Sequence, residues 1–247
     1  MELLYLIPGD GMPEDELVRR ERTANTVARK GTHVTVEEVG EGPISIESAI
    51  EEYMSVGPML KRLFQLRKEN KYDAIIIGCA GDPGLRPARE LMDVPIIGPA
   101  ESSFHYACMI SDRFSVISPL QAGVDSADDL MARIREMGLS TRLSSVEFVE
   151  IPIVQMWSDD SGPVVQQVTQ AISKAIGKGA GSVVLGCMSM AFRTANMDWE
   201  KIEIPVVNPL QVAIKVAETF VDIGLKQSRV TYPAADLKKL VDTVFRE

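Results

Sequence analysis

The chain has 247 residues, of which 45% are hydrophobic, 25% charged and 6% aromatic, a balance that fits a globular protein and excludes disorder, collagen and coiled coil. Its 35 acidic and 26 basic residues leave a formal charge of -9. That field repels phosphate backbones and anionic headgroups, so neither nucleic acid nor a membrane is an expected partner. No apolar run reaches the roughly 18 residues of a membrane span, and Met1 to Pro8 carries neither a basic n-region nor a cleavage site, so a cytoplasmic protein is expected.

Short β-branched runs alternate with helical stretches along the chain. Strands are predicted at 3–7, 33–39, 74–77, 94–97, 114–118, 146–151, 182–185 and 205–207. Helical signals occupy 13–30, 47–70, 100–110, 126–137, 162–178 and 209–225. The strand runs are continuously apolar rather than alternating, the mark of strands covered on both faces, as in parallel sheets. The order of elements reads as α/β.

The two halves of the chain repeat one another. Tyr5-Leu6-Ile7-Pro8 matches Val116-Ile117-Ser118-Pro119, Ile77-Gly78-Cys79 matches Leu185-Gly186-Cys187, and Val94-Pro95-Ile96-Ile97 matches Ile204-Pro205-Val206-Val207, at offsets of 111, 108 and 110 residues. The repeat implies two similar doubly wound lobes, each with a four-stranded parallel sheet, related by a pseudo-two-fold with a cleft between them. The first lobe is expected to comprise 1–98 and 209–247, and the second 99–208.

Three cysteines, at 79, 108 and 187, make an odd count without a Cys-x-x-Cys pair, so neither a disulfide framework nor a zinc ribbon is encoded. Cys79 and Cys187 each follow a buried strand run and precede a turn or helix start, and in open α/β sheets the carboxyl ends of the strands line the ligand crevice. The amides just after each cysteine are expected to favour a thiolate and to hold a carbonyl or anionic oxygen. Two thiols related by a pseudo-dyad face one small substrate from opposite sides. One removes a proton beside a carbonyl while the other delivers one to the opposite face, which is two-base racemisation or epimerisation. Cys108 has no counterpart in the repeat and reads as a packed small residue.

The chain resembles the aspartate/glutamate/hydantoin racemase superfamily, within it the hydantoin racemase branch. The resemblance rests on Gly78-Cys79-Ala80-Gly81-Asp82-Pro83-Gly84-Leu85, on Ala88-Arg89-Glu90, on Val94-Pro95-Ile96-Ile97-Gly98, on Glu101, on Arg113-Phe114-Ser115-Val116 and on Val184-Leu185-Gly186-Cys187-Met188-Ser189-Met190-Ala191. It implies cofactor-independent chemistry with Cys79 and Cys187 as the acid–base pair, and substrate oxygens bound at the amides of Ala80, Gly81, Met188 and Ser189. Gly42-Pro43-Ile44-Ser45-Ile46-Glu47-Ser48 resembles a loop of the substrate pocket, which implicates Ile44 and Ser45. The N-terminal loop, which is expected to bring Gly9 and Asp10 to the substrate, departs from the branch, which has an Asn-Pro-Asn-Thr-type run where this chain has Ile7-Pro8-Gly9-Asp10-Gly11. Met188-Ser189 stands where the branch has Ala-Gly.

Other signals point elsewhere more weakly. Glu14 stands where a Gly-x-Gly-x-x-Gly fingerprint after Gly9 needs its third glycine, so no dinucleotide is expected, and Gly177 to Gly181 precedes a strand rather than opening a helix. Glu101, His105 and Cys108 share a helix face but signal no fourth ligand, so no metal is expected. The expected partner is a small-molecule substrate, and homo-oligomerisation is left open. The rival readings are an Asp/Glu racemase, a diacid cis-trans isomerase on the same scaffold, and a catalytically silent two-lobe binder.

Overall fold

Two four-stranded sheets, all parallel, carry the chain, in strand orders β2-β1-β3-β4 and β6-β5-β7-β8. The computed structural model describes residues 1–120, 127–158 and 160–245. The first sheet is built from β1 (Glu2–Ile7), β2 (His33–Glu38), β3 (Ala74–Ile77) and β4 (Ile96–Ile97), linked by α1 (Glu14–Val27), α2 (Ala49–Glu69) and α3 (Leu85–Leu91). After α4 (Pro99–Ile110), the second sheet follows as β5 (Phe114–Pro119), β6 (Leu143–Val149), β7 (Ser182–Leu185) and β8 (Val206–Val207), linked by α5 (Asp128–Glu136), α6 (Gly162–Gly177) and α7 (Met188–Arg193). Helices α8 (Pro209–Asp222) and α9 (Leu237–Thr243) end the described chain.

The central strands β1, β3, β5 and β7 are covered on both faces, as their apolar runs require, whereas the edge strands β2 and β6 are mostly half-buried. Two strands differ from the sequence expectation by more than one residue. β6 starts three residues early and stops at Val149 because its only partner, β5, ends opposite it at Pro119. β4 is confined to Ile96 and Ile97, since Pro95 has no N–H for the ladder, although its carbonyl still accepts from the Ile75 amide at 2.9 Å. The predicted helix start at Ser126 lies outside the described residues, and α9 had no signal in the periodicity.

Each sheet is sandwiched between apolar helix faces. Leu4, Leu6, Ile75 and Ile77 pack with Met59 and Leu63 of α2, while Leu3, Tyr5 and Ile76 on the other face meet α8 through Leu210, Ala213, Ile214 and Ala217. Phe114, Val116 and Val184 pack with Ala100, Phe104 and Ala107 of α4, and Val183 and Leu185 with Val164, Val168 and Ile172 of α6. Each such fully buried Leu, Ile or Phe contributes about 1.5–3 kcal/mol over its exposed state. The α7 residues Met188, Ala191 and Phe192 join the core on the first sheet, so the segment after Cys187 is anchored to the opposite lobe.

Candidate active site

Both cysteines stand two residues past the end of a central strand, β3 for Cys79 and β7 for Cys187, each behind a glycine. The glycines are dictated by a close approach between strands. The Gly78 amide donates to the Leu6 carbonyl at 2.6 Å and the Gly186 amide to the Ile117 carbonyl at 2.7 Å. A Cβ at position 78 would stand 2.7 Å from the Leu6 oxygen and 2.9 Å from the Ile7 Cα; one at 186 would stand 2.8 Å from Val116 Cγ1 and 3.0 Å from the Ile117 oxygen. The repeated Gly-Cys pair thus delivers each sulfur to the carboxyl end of its sheet without disturbing the neighbouring strand.

The two sulfurs open onto one cavity between the lobes. Gly9, Ile44, Ser45, Ala80, Gly81, Met188 and Ser189 line it too. Asp10 does not: it is exposed, tethered through its amide to the Pro43 carbonyl at 3.4 Å, and its carboxylate lies outside the wall. Ser45 lines the cavity with its hydroxyl already given to Glu47 Oε1 at 2.7 Å. The loop of residues 8–12 is held from behind by Glu38, whose Oε1 accepts from the Met12 amide at 2.8 Å.

The thiols do not behave as the amides alone suggest. Burial pushes Cys79 up to about 12, against the Gly81 amide, which donates to its sulfur at 3.3 Å. Cys187 is also pushed up by burial, opposed by the backbone N–H groups of Met190 and Ser189, by the positive charge of Arg20 and by the Ser189 hydroxyl. Desolvation of a thiolate outweighs the amide donors here, so the expected depression of both pKa values is replaced by a rise. Beneath the pair, Tyr5 is buried with its hydroxyl donating to the Gly78 carbonyl at 3.1 Å, and its own ionisation is driven out of reach by burial.

Among the cavity residues that escaped the sequence reading are Arg20, Glu52, Arg133 and Trp157. Arg20 is 2% exposed, bonds Glu16 Oε1 through Nε at 2.8 Å and lies over the Phe192 ring at 4.8 Å. Glu16 and Arg20 are four apart on a helix, a spacing that also describes an ordinary surface ion pair, so nothing in the pattern separated them from one. Arg133 of α5 pairs with Glu52 of α2 across the cavity wall. Trp157 closes a short 3-10 turn, Ile153–Trp157, and its Nε1 donates to Ser189 Oγ at 3.1 Å.

The helix face of Glu101, His105 and Cys108 disperses into separate surroundings. Glu101 pairs with Arg89, with Oε1 to Nη1 at 3.0 Å, His105 is exposed, and Cys108 packs against the second sheet's core. Among the described residues, no helix is long and apolar enough to cross a membrane.

The same architecture recurs in known proteins. The structure superposes on allantoin racemase from Klebsiella pneumoniae with a TM-score of 0.83 and 26% sequence identity, covering 95% of this chain and 94% of that one. In sequence, the chain is 31% identical over 223 residues to a hydantoin racemase of Pseudomonas sp. (strain NS671), covering 90% of this chain and 87% of the relative. It is 28% identical over 230 residues to a hydantoin racemase of Paenarthrobacter aurescens, covering 93% and 94%. The Asp/Glu/hydantoin racemase family model matches residues 18–217, and the chain belongs to that family.

Proposed function

We propose that this chain racemises or epimerises a hydantoin-type cyclic ureide at the ring carbon beside a carbonyl, with Cys79 and Cys187 as the acid–base pair. We place the lobes at 1–98 with 209–247 and at 99–208. One observation carries the reading: two cysteines, each delivered by the same Gly-Cys turn from an equivalent central strand, open onto one cavity between the lobes.

In this mechanism a thiolate on one side takes the proton from the ring carbon. The C–H bond breaks, an S–H bond forms, and the freed electron pair moves onto the carbonyl oxygen as an enolate. The thiol on the other side then gives its proton to the opposite face of the carbon. The enolate collapses to the inverted product, and the donor is left as thiolate, ready for the reverse direction. Amide N–H groups at Ala80, Gly81, Met188 and Ser189 supply the dipoles that hold the oxygen while its charge develops. The steps are proton transfers, and none calls for a cofactor.

The cavity charge supports a neutral ring over an amino diacid. Arg20 is already paired with Glu16, and Arg133 with Glu52, so a substrate carboxylate must compete with an existing partner for either guanidinium. Ile7, Met12, Ile153 and Met188 on the wall favour an apolar substituent on the ring.

Proton NMR in D₂O tests the reading against 5-substituted hydantoins, allantoin, aspartate and glutamate. The expected result is loss of the ring C–H signal for hydantoins, abolished or made one-sided by Cys79→Ser and Cys187→Ser. Exchange of aspartate or glutamate instead would move the assignment to an amino-acid racemase. No exchange with any of the four would leave the silent binder as the better reading.

A further inference from the structure

The surroundings of the two sulfurs are not symmetric, although the fold around them is. Cys79 is met by one amide, that of Gly81, and the charged groups beside it, Arg133 and Glu52, are paired with each other rather than with a hydroxyl on the sulfur. Cys187 is met by two amides and a hydroxyl, and behind that hydroxyl stands a buried ionic group.

Ser189 is 6% exposed, and its Oγ accepts two hydrogen bonds, from Arg20 Nη2 at 2.7 Å and from Trp157 Nε1 at 3.1 Å. A hydroxyl has two lone pairs and one proton. With both lone pairs taken by donors that have no acceptor capacity of their own, the proton must point elsewhere, and the neighbour in reach is the Cys187 sulfur. Arg20 cannot rotate away: Glu16 holds its Nε, and Phe192 lies against its face. Glu16 in turn accepts from Arg193 at 3.2 Å and from Arg19, so a single carboxylate serves three guanidinium groups behind Ser189.

We propose that Ser189 is a positioning residue whose hydroxyl, oriented by Arg20 and Trp157, donates to Cys187 and makes Cys187 the first of the two thiols to ionise. The inference rests on the racemase reading above. It makes Cys187 the base for the enantiomer that presents its C–H to the second lobe, and Cys79 the acid that waits with its proton on. The groups that act on Cys187 are Arg20 from α1, with Glu16 and Arg193 behind it, Ser189 and Met190 from α7, Tyr5 from β1 and Cys79 beyond β3. Tyr5 stays neutral, and Arg20 favours the thiolate. Once formed, the Cys187 charge pushes Cys79 further up, which keeps the second proton in place.

The test is the pH dependence of iodoacetamide alkylation on the full-length protein, resolved by peptide mass mapping into a separate midpoint for Cys79, Cys187 and Cys108. The same samples are assayed for ring C–H exchange. Cys187 should titrate below Cys79. Ser189→Ala should raise the Cys187 midpoint by on the order of one pH unit, the weight of one hydrogen bond to a charged sulfur. Ser189→Thr, which keeps a hydroxyl, should leave it in place, and circular dichroism establishes that each variant folds. Cys79 titrating first, an unmoved midpoint in Ser189→Ala, or equal shifts in the Ala and Thr variants would each overturn the proposal. Absent exchange with the midpoints in the expected order would overturn the racemase reading and leave the thiolate assignment standing.

Discussion

Arg133 on α5 and Glu52 on α2 form an ion pair that ties the second lobe to the first across the wall of the cavity holding Cys79. Their side chains are 21% and 22% exposed, so the pair is more shielded than a surface bridge and joins two elements that no strand pairing connects. The Arg133 guanidinium also lies 3.8 Å from where a Cβ on Gly81 would stand, close enough to shape the space beside the first cysteine.

Replacing Arg133 by Met keeps the packing volume and deletes the bridge. It leaves Glu52 facing the cavity without its partner, and it loosens the docking of α5. We expect kcat/KM to fall about tenfold, equivalent to about 1.4 kcal/mol of transition-state stabilisation. The loss should fall mainly on KM, because the pair shapes the site without touching the reacting carbon. Steady-state kinetics on the best hydantoin substrate settle the split. A fall confined to kcat would place Arg133 in the proton transfer itself.

The two cysteines set the pH dependence. Both thiols are pushed up by burial, Cys79 to about 12. In the proposed mechanism the active form needs one thiolate and one thiol, so activity is limited on the acid side by formation of the first thiolate. We expect kcat/KM to climb with pH through a midpoint above that of a solvent-exposed cysteine. Substituting either cysteine by Ala should lower racemisation by roughly 10²–10⁴-fold, the usual contribution of one general acid or base. A bell centred near neutral pH would mean that bound substrate or a different group controls the titration.

The glycines before the cysteines offer a packing test. In Gly78→Ala the new methyl meets the Leu6 carbonyl oxygen at 2.7 Å and the Ile7 Cα at 2.9 Å, both backbone atoms that cannot swing aside. Strand β1 must therefore shift relative to β3, at a cost of about 1–3 kcal/mol, the range for overpacked cores. For a chain of this length that lowers Tm by roughly 2–10 °C. The displaced turn also carries Cys79, so activity should fall further than stability implies. Calorimetry beside the exchange assay separates the two, and an unchanged Tm would show that the strands are less tightly held than the geometry says.

Much of this was legible from residue order because the features involved are local. A strand that ends in Gly-Cys, twice, at an offset of 108 residues, declares both the duplication and the position of the thiols. What stayed hidden depends on contacts between distant segments. Arg20 reaches Ser189 across 169 positions and Trp157 reaches it across 32, and neither spacing leaves a periodic trace. The same holds for Glu52 and Arg133, which are surface-like residues of amphipathic helices until the lobes close on each other. The upward push of burial on both thiols is hidden for a related reason: adjacent amides can be read from the chain, whereas desolvation is a property of the assembled fold. The place of Asp10 in the loop suggests a pocket residue, but in the fold it is exposed and does not line the cavity.

Asp82, three residues past Cys79, supplies a prediction about stability. It is 5% exposed, and its two oxygens accept from the Ala100 amide at 3.0 Å and the Glu101 amide at 2.8 Å, capping the start of α4 on behalf of the first lobe. Burial raises its pKa to about 6 from 3.8, the two amides holding it down only in part. The folded state therefore binds a proton that the unfolded chain has already lost between those two values. By linkage, the Asp82 contribution to stability is largest below about pH 4, declines as pH rises to about 6, and is level above that. The decline is on the order of 2–3 kcal/mol. Asp82→Asn cannot titrate, so urea denaturation of both proteins across pH 4–7 should show the wild type losing that much relative to the variant as pH rises. Glu16 and Glu38, also raised by burial, act equally in both proteins and cancel in the difference. A gap that stays constant, or widens in favour of the wild type toward pH 7, would mean that the two amides outweigh burial and that Asp82 is an ordinary low-pKa cap.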